Sequence, residues 1–359
     1  MANPLSEDVL VDPVVLTRAL VDVPSVSRNE SAIADFVAEV LRTAPHLSVD
    51  RLGNTVMART DLGREQRVVL AGHLDTVPLN GNFPSTVVDD LIYGCGASDM
   101  KSGVALALHL AATLPDPAYD ITYLFYEAEE IDSQHNGLRH VAEQRPEWLV
   151  ADFAVLLEPT YGVVEAGCQG TLQASVHVGG RRAHTARAWR GINAIHAAGE
   201  VLRRLDDYRP RTVTIDGCTY REGLNAVRIS GGVAGNVVPD ECTVQVNMRF
   251  APDRTEKQAL EHLHEVFAGY EVELIDSAPG AMPGLDAAPA REFLAAVGEA
   301  PAAKLGWTDV ARFAALGVPA LNYGPGDPLL AHAPDEHVEI GKIRDGAATL
   351  HRWLASYAI

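Results

Sequence analysis

Apolar and polar residues are arranged in two textures in this sequence. In the first, short apolar runs of strand length alternate with helical patterns. Arg67-Val68-Val69-Leu70-Ala71-Gly72, the run Asp120–Tyr126 and Asp152-Phe153-Ala154-Val155-Leu156-Leu157 are nearly continuous in apolar residues. Strands buried on both faces read this way. Between them, apolar residues at helical spacing predict helices over 32–41, 104–114 and 137–144. Asp12-Pro13 starts an earlier helix, with Asp at the cap and Pro in the first turn, and Asn29-Glu30-Ser31 caps the next. Two further strands are predicted at 48–51 and 54–59, around Leu52-Gly53. This alternation predicts an α/β fold with a mostly parallel sheet sandwiched by helices.

The second texture begins after Gly170. Residues 171–178 alternate, as a half-exposed strand does. A helix over 192–205, strands at 212–218, 225–231 and 241–250, a helix over 255–267 and a strand at 270–276 follow. Together they predict an α+β insert. The Pro/Gly-rich stretch 277–284 returns the chain to α/β texture, with helices near 291–298 and 308–316, a strand at 320–323 and a final helix over about 339–357. The expected domains are therefore 1–170 and 281–359, forming one unit, interrupted by 171–280.

Composition narrows the function. Against 29 Lys and Arg stand 48 Asp and Glu, a formal charge of −19. That disfavours nucleic acid or an anionic membrane as partner and suits a cytoplasmic protein. Cys95, Cys168, Cys218 and Cys242 lie far apart, form no CxxC and read as packed, reduced thiols. The first residues lack the basic and apolar regions of a signal peptide, and no apolar run reaches the ~18 residues of a membrane helix.

Candidate chemistry gathers at strand ends. Leu124-Phe125-Tyr126-Glu127-Ala128-Glu129-Glu130-Ile131 opens as a strand and closes in three carboxylates. Alone it is compatible with a solvated acidic loop. Ligand sites of such sheets, however, lie at the carboxyl ends of the strands, where His73, Asp75, Glu129, Glu130 and Glu158 all fall. Asp99 sits in a turn rich in glycine, Gly94, Gly96 and Gly103, either as a helix cap or as a carboxylate held where backbone comes close. With His332 the set has two imidazoles and several carboxylates, which suits zinc or a similar ion. Asp75 can supply the partner that a metal-bound His73 needs for its other nitrogen. Arg181-Arg182-Ala183-His184-Thr185-Ala186-Arg187 is either a basic surface turn or a donor to a reacting carbonyl.

Five segments resemble the signature blocks of the M20 metallopeptidases and deacylases, in order and spacing: Gly72-His73-Leu74-Asp75, Ser98-Asp99-Met100-Lys101-Ser102-Gly103, Glu127-Ala128-Glu129-Glu130, Leu157-Glu158-Pro159-Thr160 and Ala331-His332-Ala333-Pro334-Asp335-Glu336. The resemblance implies a catalytic domain of zinc-peptidase type with an inserted lid and dimerisation domain, acting as a homodimer. It implies two zinc ions, with cobalt as a possible substitute. Asp99 bridges them, His73 and Glu158 complete one, and Glu130 and His332 the other. Asp75 orients His73, and Glu129 is the general base for amide hydrolysis by an activated water. His184 is implied to reach the other subunit's active site, while Asn236 and Arg249 match substrate-binding positions. Arg182, Thr308 and Gly324 are further candidate substrate contacts. The Asp-Met-Lys block and Gly324-Pro325-Gly326 are similar to the family members of high-G+C Gram-positive bacteria that remove succinate from N-succinyl-LL-2,6-diaminopimelate, giving LL-2,6-diaminopimelate for lysine and cell-wall synthesis. Alternatives within the family are an acetylornithine deacetylase-like N-acyl amino acid deacylase or a dipeptidase. A different class of function is a catalytically silent metal-dependent binding or assembly protein on the same scaffold. Two positions depart from the family pattern: Trp307 in Gly306-Trp307-Thr308-Asp309, and Cys95 where most relatives carry arginine.

Overall fold

The computed structural model describes residues 10–355 and divides them into two compact units. The first comprises the chain through Ala166, Pro283–Ala302 and the stretch from Arg312 onward. Its mixed sheet runs, edge inward, through Ser48–Leu52, Thr55–Arg59, Asp120–Tyr126, Arg67–His73, Phe153–Leu156, Ala320–Asn322 and Glu165–Ala166. The middle strands are parallel: Arg67–His73 pairs with both Asp120–Tyr126 and Phe153–Leu156, and the latter with Ala320–Asn322. Every residue of Asp120–Tyr126 is buried, which explains its unbroken apolar reading. Val68, Leu70, Ile121, Tyr123, Phe125, Phe153 and Val155 form one core with the helices Pro13–Val21, Ser31–Thr43, Ser102–Thr113, Ala288–Val297 and Ile340–Leu354.

The first helix begins as Asp12-Pro13 predicts: Val14 N donates to Asp12 Oδ1 at 2.8 Å. In the second, the cap within Asn29-Glu30-Ser31 is Glu30, whose carboxylate accepts from Arg28 N instead of closing the helix. The final helix is described as Ile340–Leu354; the expected continuation to 357, like the leading residues, lies outside the described residues. No described helix is long and apolar enough to cross a membrane.

The second unit is Gly167–Met282 with Ala303–Ala311. It holds an antiparallel sheet in the order Gly223–Gly231, Glu241–Phe250, Gly170–Gly179, Glu271–Ala278. Leu172, Ala174, Val176, Val244, Val246 and Met248 pack against the helices Ala194–Asp207 and Glu256–Val266. Register puts Thr171, Gln173, Ser175, Asn247 and Arg249 on the opposite, polar face. Thr255 and Gln258 close a capping box on the second helix. The strand expected over 212–218 is instead a hairpin, Thr212–Ile215 and Cys218–Arg221. Asp216 and Gly217 both take positive φ, 48° and 83°, as a tight two-residue Asp-Gly turn requires. The segment Ala303–Ala311, expected with the returning part of the chain, packs in this unit. Lys304 O accepts from Gln169 N, and Trp307 Nε1 donates to Pro279 O at 3.1 Å.

Candidate metal centre

Three parallel strands deliver the site. Arg67–His73 ends in His73, and its neighbour Asp120–Tyr126 runs level with it, His73 opposite Tyr126. On the other side Ala71 pairs with Leu156, so Glu158 lies level with His73, two residues further along each strand. After Tyr126 the chain turns sharply through Ala128, whose φ of 58° is left-handed. That turn parts the three carboxylates. Glu127 faces back to accept from Asn54 N at 3.0 Å, while Glu130 joins His73 and Asp99 and Glu129 is held by its N to Asp75. Asp99 rides on the turn after Gly96, whose φ is 79°, and is followed by a cis peptide to Met100.

The ligand atoms of His73, Asp99 and Glu130 lie within 4.8 Å of one another. His73 Nε2 is 3.1 Å from Asp99 Oδ1. His332 joins them with Nε2 2.8 Å from Glu130 Oε1 and 3.7 Å from Asp99 Oδ2. Its own φ is 65°, a left-handed conformation that costs a non-glycine residue roughly 1–2 kcal/mol. Behind them Asp75 is fully buried. Its carboxylate accepts from Ser27 Oγ at 2.7 Å, Glu129 N at 2.9 Å and Glu130 N at 3.1 Å, and lies 3.4 Å from His73 Nδ1. His73 Nδ1 is nearer still to Asp75 O, at 3.0 Å, so Asp75 fixes the histidine through its carbonyl and carboxylate together, and the backbone of the two glutamates through the carboxylate.

The electrostatics fit a cation. Burial alone lowers the pKa of His73, yet Asp75 and Asp99 more than reverse this and hold it well above the ordinary value. Burial pushes the Glu130 carboxyl up, and the neighbouring Asp99 adds to it against His73 and His332. Close-set carboxylates that resist ionising together, interleaved with two imidazoles, are a donor set that a divalent metal relieves. His73, Asp99, Glu130 and His332 are therefore suited to hold metal, with Glu158 positioned by strand register beside them. Burial pushes the Cys95 thiol up, and its Sγ faces Val77 O at 3.6 Å.

The remaining candidates fall in two places. Gly324, in the first unit, donates from N to Thr160 Oγ1 at 3.1 Å. A Cβ there would come within 2.5 Å of both Leu157 O and Glu158 O, so only glycine fits against the Glu158 loop. His184, Arg182, Asn236, Arg249 and Thr308 belong to the second unit. His184 pairs with Val237, and Thr185 N donates to Asn236 O, so His184 and Asn236 lie on adjoining turns. His184 is exposed, and its Nδ1 accepts from Ala186 N at 3.0 Å. Arg182 is engaged with Asp240, donating from Nε and Nη2 to Oδ1 at 3.0 and 2.9 Å. Arg249 is half-buried on the polar sheet face, and burial lowers its guanidinium pKa. Thr308 is buried, its carbonyl 3.8 Å from Cys168 Sγ. Sequence reasoning missed Ser27. A lone serine 48 residues from its carboxylate partner carries no local pattern that would reveal it.

Residues 69–356 match the model of peptidase family M20/M25/M40. A curated protein of Mycobacterium tuberculosis, a putative succinyl-diaminopimelate desuccinylase, is 56% identical, covering 97% of this chain and 99% of its own. The succinyl-diaminopimelate desuccinylase of Corynebacterium glutamicum is 48% identical over 97% of each. Among solved structures, a tripeptidase from Staphylococcus aureus superposes with a TM-score of 0.79 at 22% identity, covering 96% of this chain and 98% of that one. The aminopeptidase PepT of Bacillus cereus reaches 0.77 at 18%, over 98% and 99%. These two share the fold. With most of its length matched by the family model, and its strand-end histidine and carboxylates converging as described, the chain belongs to the peptidase family M20/M25/M40.

Proposed function

We propose that the protein is a di-zinc amidohydrolase that cleaves N-succinyl-LL-2,6-diaminopimelate to succinate and LL-2,6-diaminopimelate. The observation that carries the chemistry is the convergence of His73, Asp99 and Glu130 beside Glu129, which Asp75 pins by its backbone. The substrate follows the two relatives that match at about half identity or better over nearly full length. His73, Asp99, Glu130, Glu158 and His332 would hold the metal pair. When bound, the pair supplies Lewis acidity to the amide carbonyl and lowers the pKa of water. Glu129 takes the proton of the attacking water on its carboxylate and passes it to the leaving amine. Asp75 keeps His73 oriented and, through Glu129 N, fixes where that carboxylate starts. His184, Asn236, Arg249, Thr308 and Gly324 serve substrate binding, with His184 donating to the developing oxyanion across a homodimer.

Self-association is supported by the second unit's sheet, whose edge strand Gly223–Gly231 exposes Val227 and Ile229 at 59% and 50%. The neighbouring helix Ala194–Asp207 exposes Ile195 and Leu202. An unpaired apolar edge of this kind invites a partner.

Turnover of N-succinyl-LL-diaminopimelate, N-acetylornithine and a dipeptide, each with zinc and then with chelator, tests the reading. Succinate release that stops with chelator and returns with zinc is expected. Faster cleavage of N-acetylornithine or dipeptide than of the succinyl substrate would overturn the substrate assignment.

A further inference from the structure

Glu336 is 1% exposed and accepts three backbone hydrogen bonds from one turn: Gly96 N at 3.0 Å on Oε2, and Ser98 N at 2.9 Å and Asp99 N at 3.0 Å on Oε1. Its own carbonyl accepts a fourth from Gly94 N. The turn so gripped carries Asp99, and Glu336 stands four residues after His332. A second tie joins the same segments, Ser98 Oγ donating to Asp327 O at 3.1 Å, with Gly326 packed so close to Ser98 O that a Cβ would sit 2.3 Å from it. A buried carboxylate placed near other carboxylates is unfavourable unless donors surround it. Here the donors are main-chain N–H groups on both carboxylate oxygens, and an amide, with a single oxygen, can accept on one side only.

We infer that Glu336 is a positioning residue for metal. It fastens the turn bearing Asp99 to the loop bearing His332, so that ligands from two remote segments of sequence meet at a fixed separation. The left-handed backbone of His332 leaves its side chain poorly determined by local preference, and the Glu336 carboxylate, bonded to the turn of Asp99, supplies what local geometry does not. With both oxygens turned to main-chain donors, Glu336 acts through the turn and not as a ligand. The inference rests on the metal-dependent reading above.

Glu336→Gln places an amide N–H₂ against at least one of the three N–H donors. Glu336→Asp keeps the charge and withdraws it by one methylene. Each is compared with wild type by far-UV circular dichroism of the metal-free protein, by chelator-competition titration with Zn²⁺, and by the visible absorption of the Co²⁺ form. Both folded variants are expected to bind Zn²⁺ roughly 10- to 100-fold more weakly and to show an altered Co²⁺ spectrum. In turnover, kcat falls and is partly restored by excess metal, while KM moves little. Should the Gln variant fail to fold, the Asp variant decides. Affinity within twofold of wild type, with an unchanged Co²⁺ spectrum, overturns the inference alone. A wild-type protein that takes up no metal overturns it together with the functional proposal.

Discussion

Buried carboxylates that collect main-chain donors recur at single-residue scale in the first unit. Asp75 gathers Ser27, Glu129 and Glu130, and Glu336 gathers the turn of Asp99. Asp120, far from the site, accepts from Thr60 Oγ1 at 2.8 Å, Leu62 N at 2.7 Å and Arg64 N at 2.9 Å. Burial would raise its pKa, but these bonds and the nearby Arg67 outweigh burial and hold it below the ordinary carboxylate value. A depressed folded-state pKa stabilises the fold above the unfolded value of about 4, and that stabilisation fades as pH falls through the folded value. Asp120→Asn should therefore lower unfolding free energy at pH 7 by about 1–3 kcal/mol, measured by urea denaturation, with the gap to wild type narrowing below pH ~4. A gap that stays constant to pH 3 would contradict the ionic account. Such residues are hard to find in sequence. Ser27 and Asp75, or Asp120 and Leu62, are bonded across 48 and 58 residues, and nothing in their neighbours announces the pairing.

The strand ends, in contrast, were legible as elements. Three apolar runs ending in His73, Glu127-Ala128-Glu129-Glu130 and Glu158 predicted parallel strands with chemistry at their carboxyl ends, and those strands are adjacent in one sheet. Burial on both faces leaves a run with no polar interruption, so its end is sharply marked. The hairpin at Asp216-Gly217 was misread because alternation continues on either side of the turn; the Asp-Gly pair was the available signal. The packing of Ala303–Ala311 with the second unit had none, since it is tied there by main-chain carbonyls of remote sequence, as in Gln169 N to Lys304 O and Trp307 Nε1 to Pro279 O.

Helix Ser102–Thr113 bears on the site through Gly103. A Cβ there would come 2.1 Å from Leu157 O and 2.8 Å from Leu157 Cβ, so the first turn of the helix packs directly on the residue before Glu158. Gly103→Ala should cost about 1–3 kcal/mol by overpacking and should weaken metal binding by displacing Glu158, as read by thermal melting and metal titration on one preparation. Unchanged metal affinity in a destabilised variant would show that Glu158 does not depend on this contact.

For the whole molecule, the proposed cross-subunit role of His184 requires a dimer. Light scattering should give twice the 38.5 kDa of one chain. Lysines at Val227 and Ile229 together, placed on the exposed edge strand, should yield the single-chain mass and lose most activity while the circular dichroism holds. A doubly substituted protein that stays dimeric would move the interface elsewhere.

Remote acidic and imidazole side chains are proposed to hold metal while one neighbouring carboxylate, Glu129, carries the proton. Metal content and succinate release, measured together on Glu129→Gln, separate the two roles. Wild-type metal content is expected, with turnover reduced by about 10²- to 10⁴-fold. Wild-type turnover in that variant would contradict it.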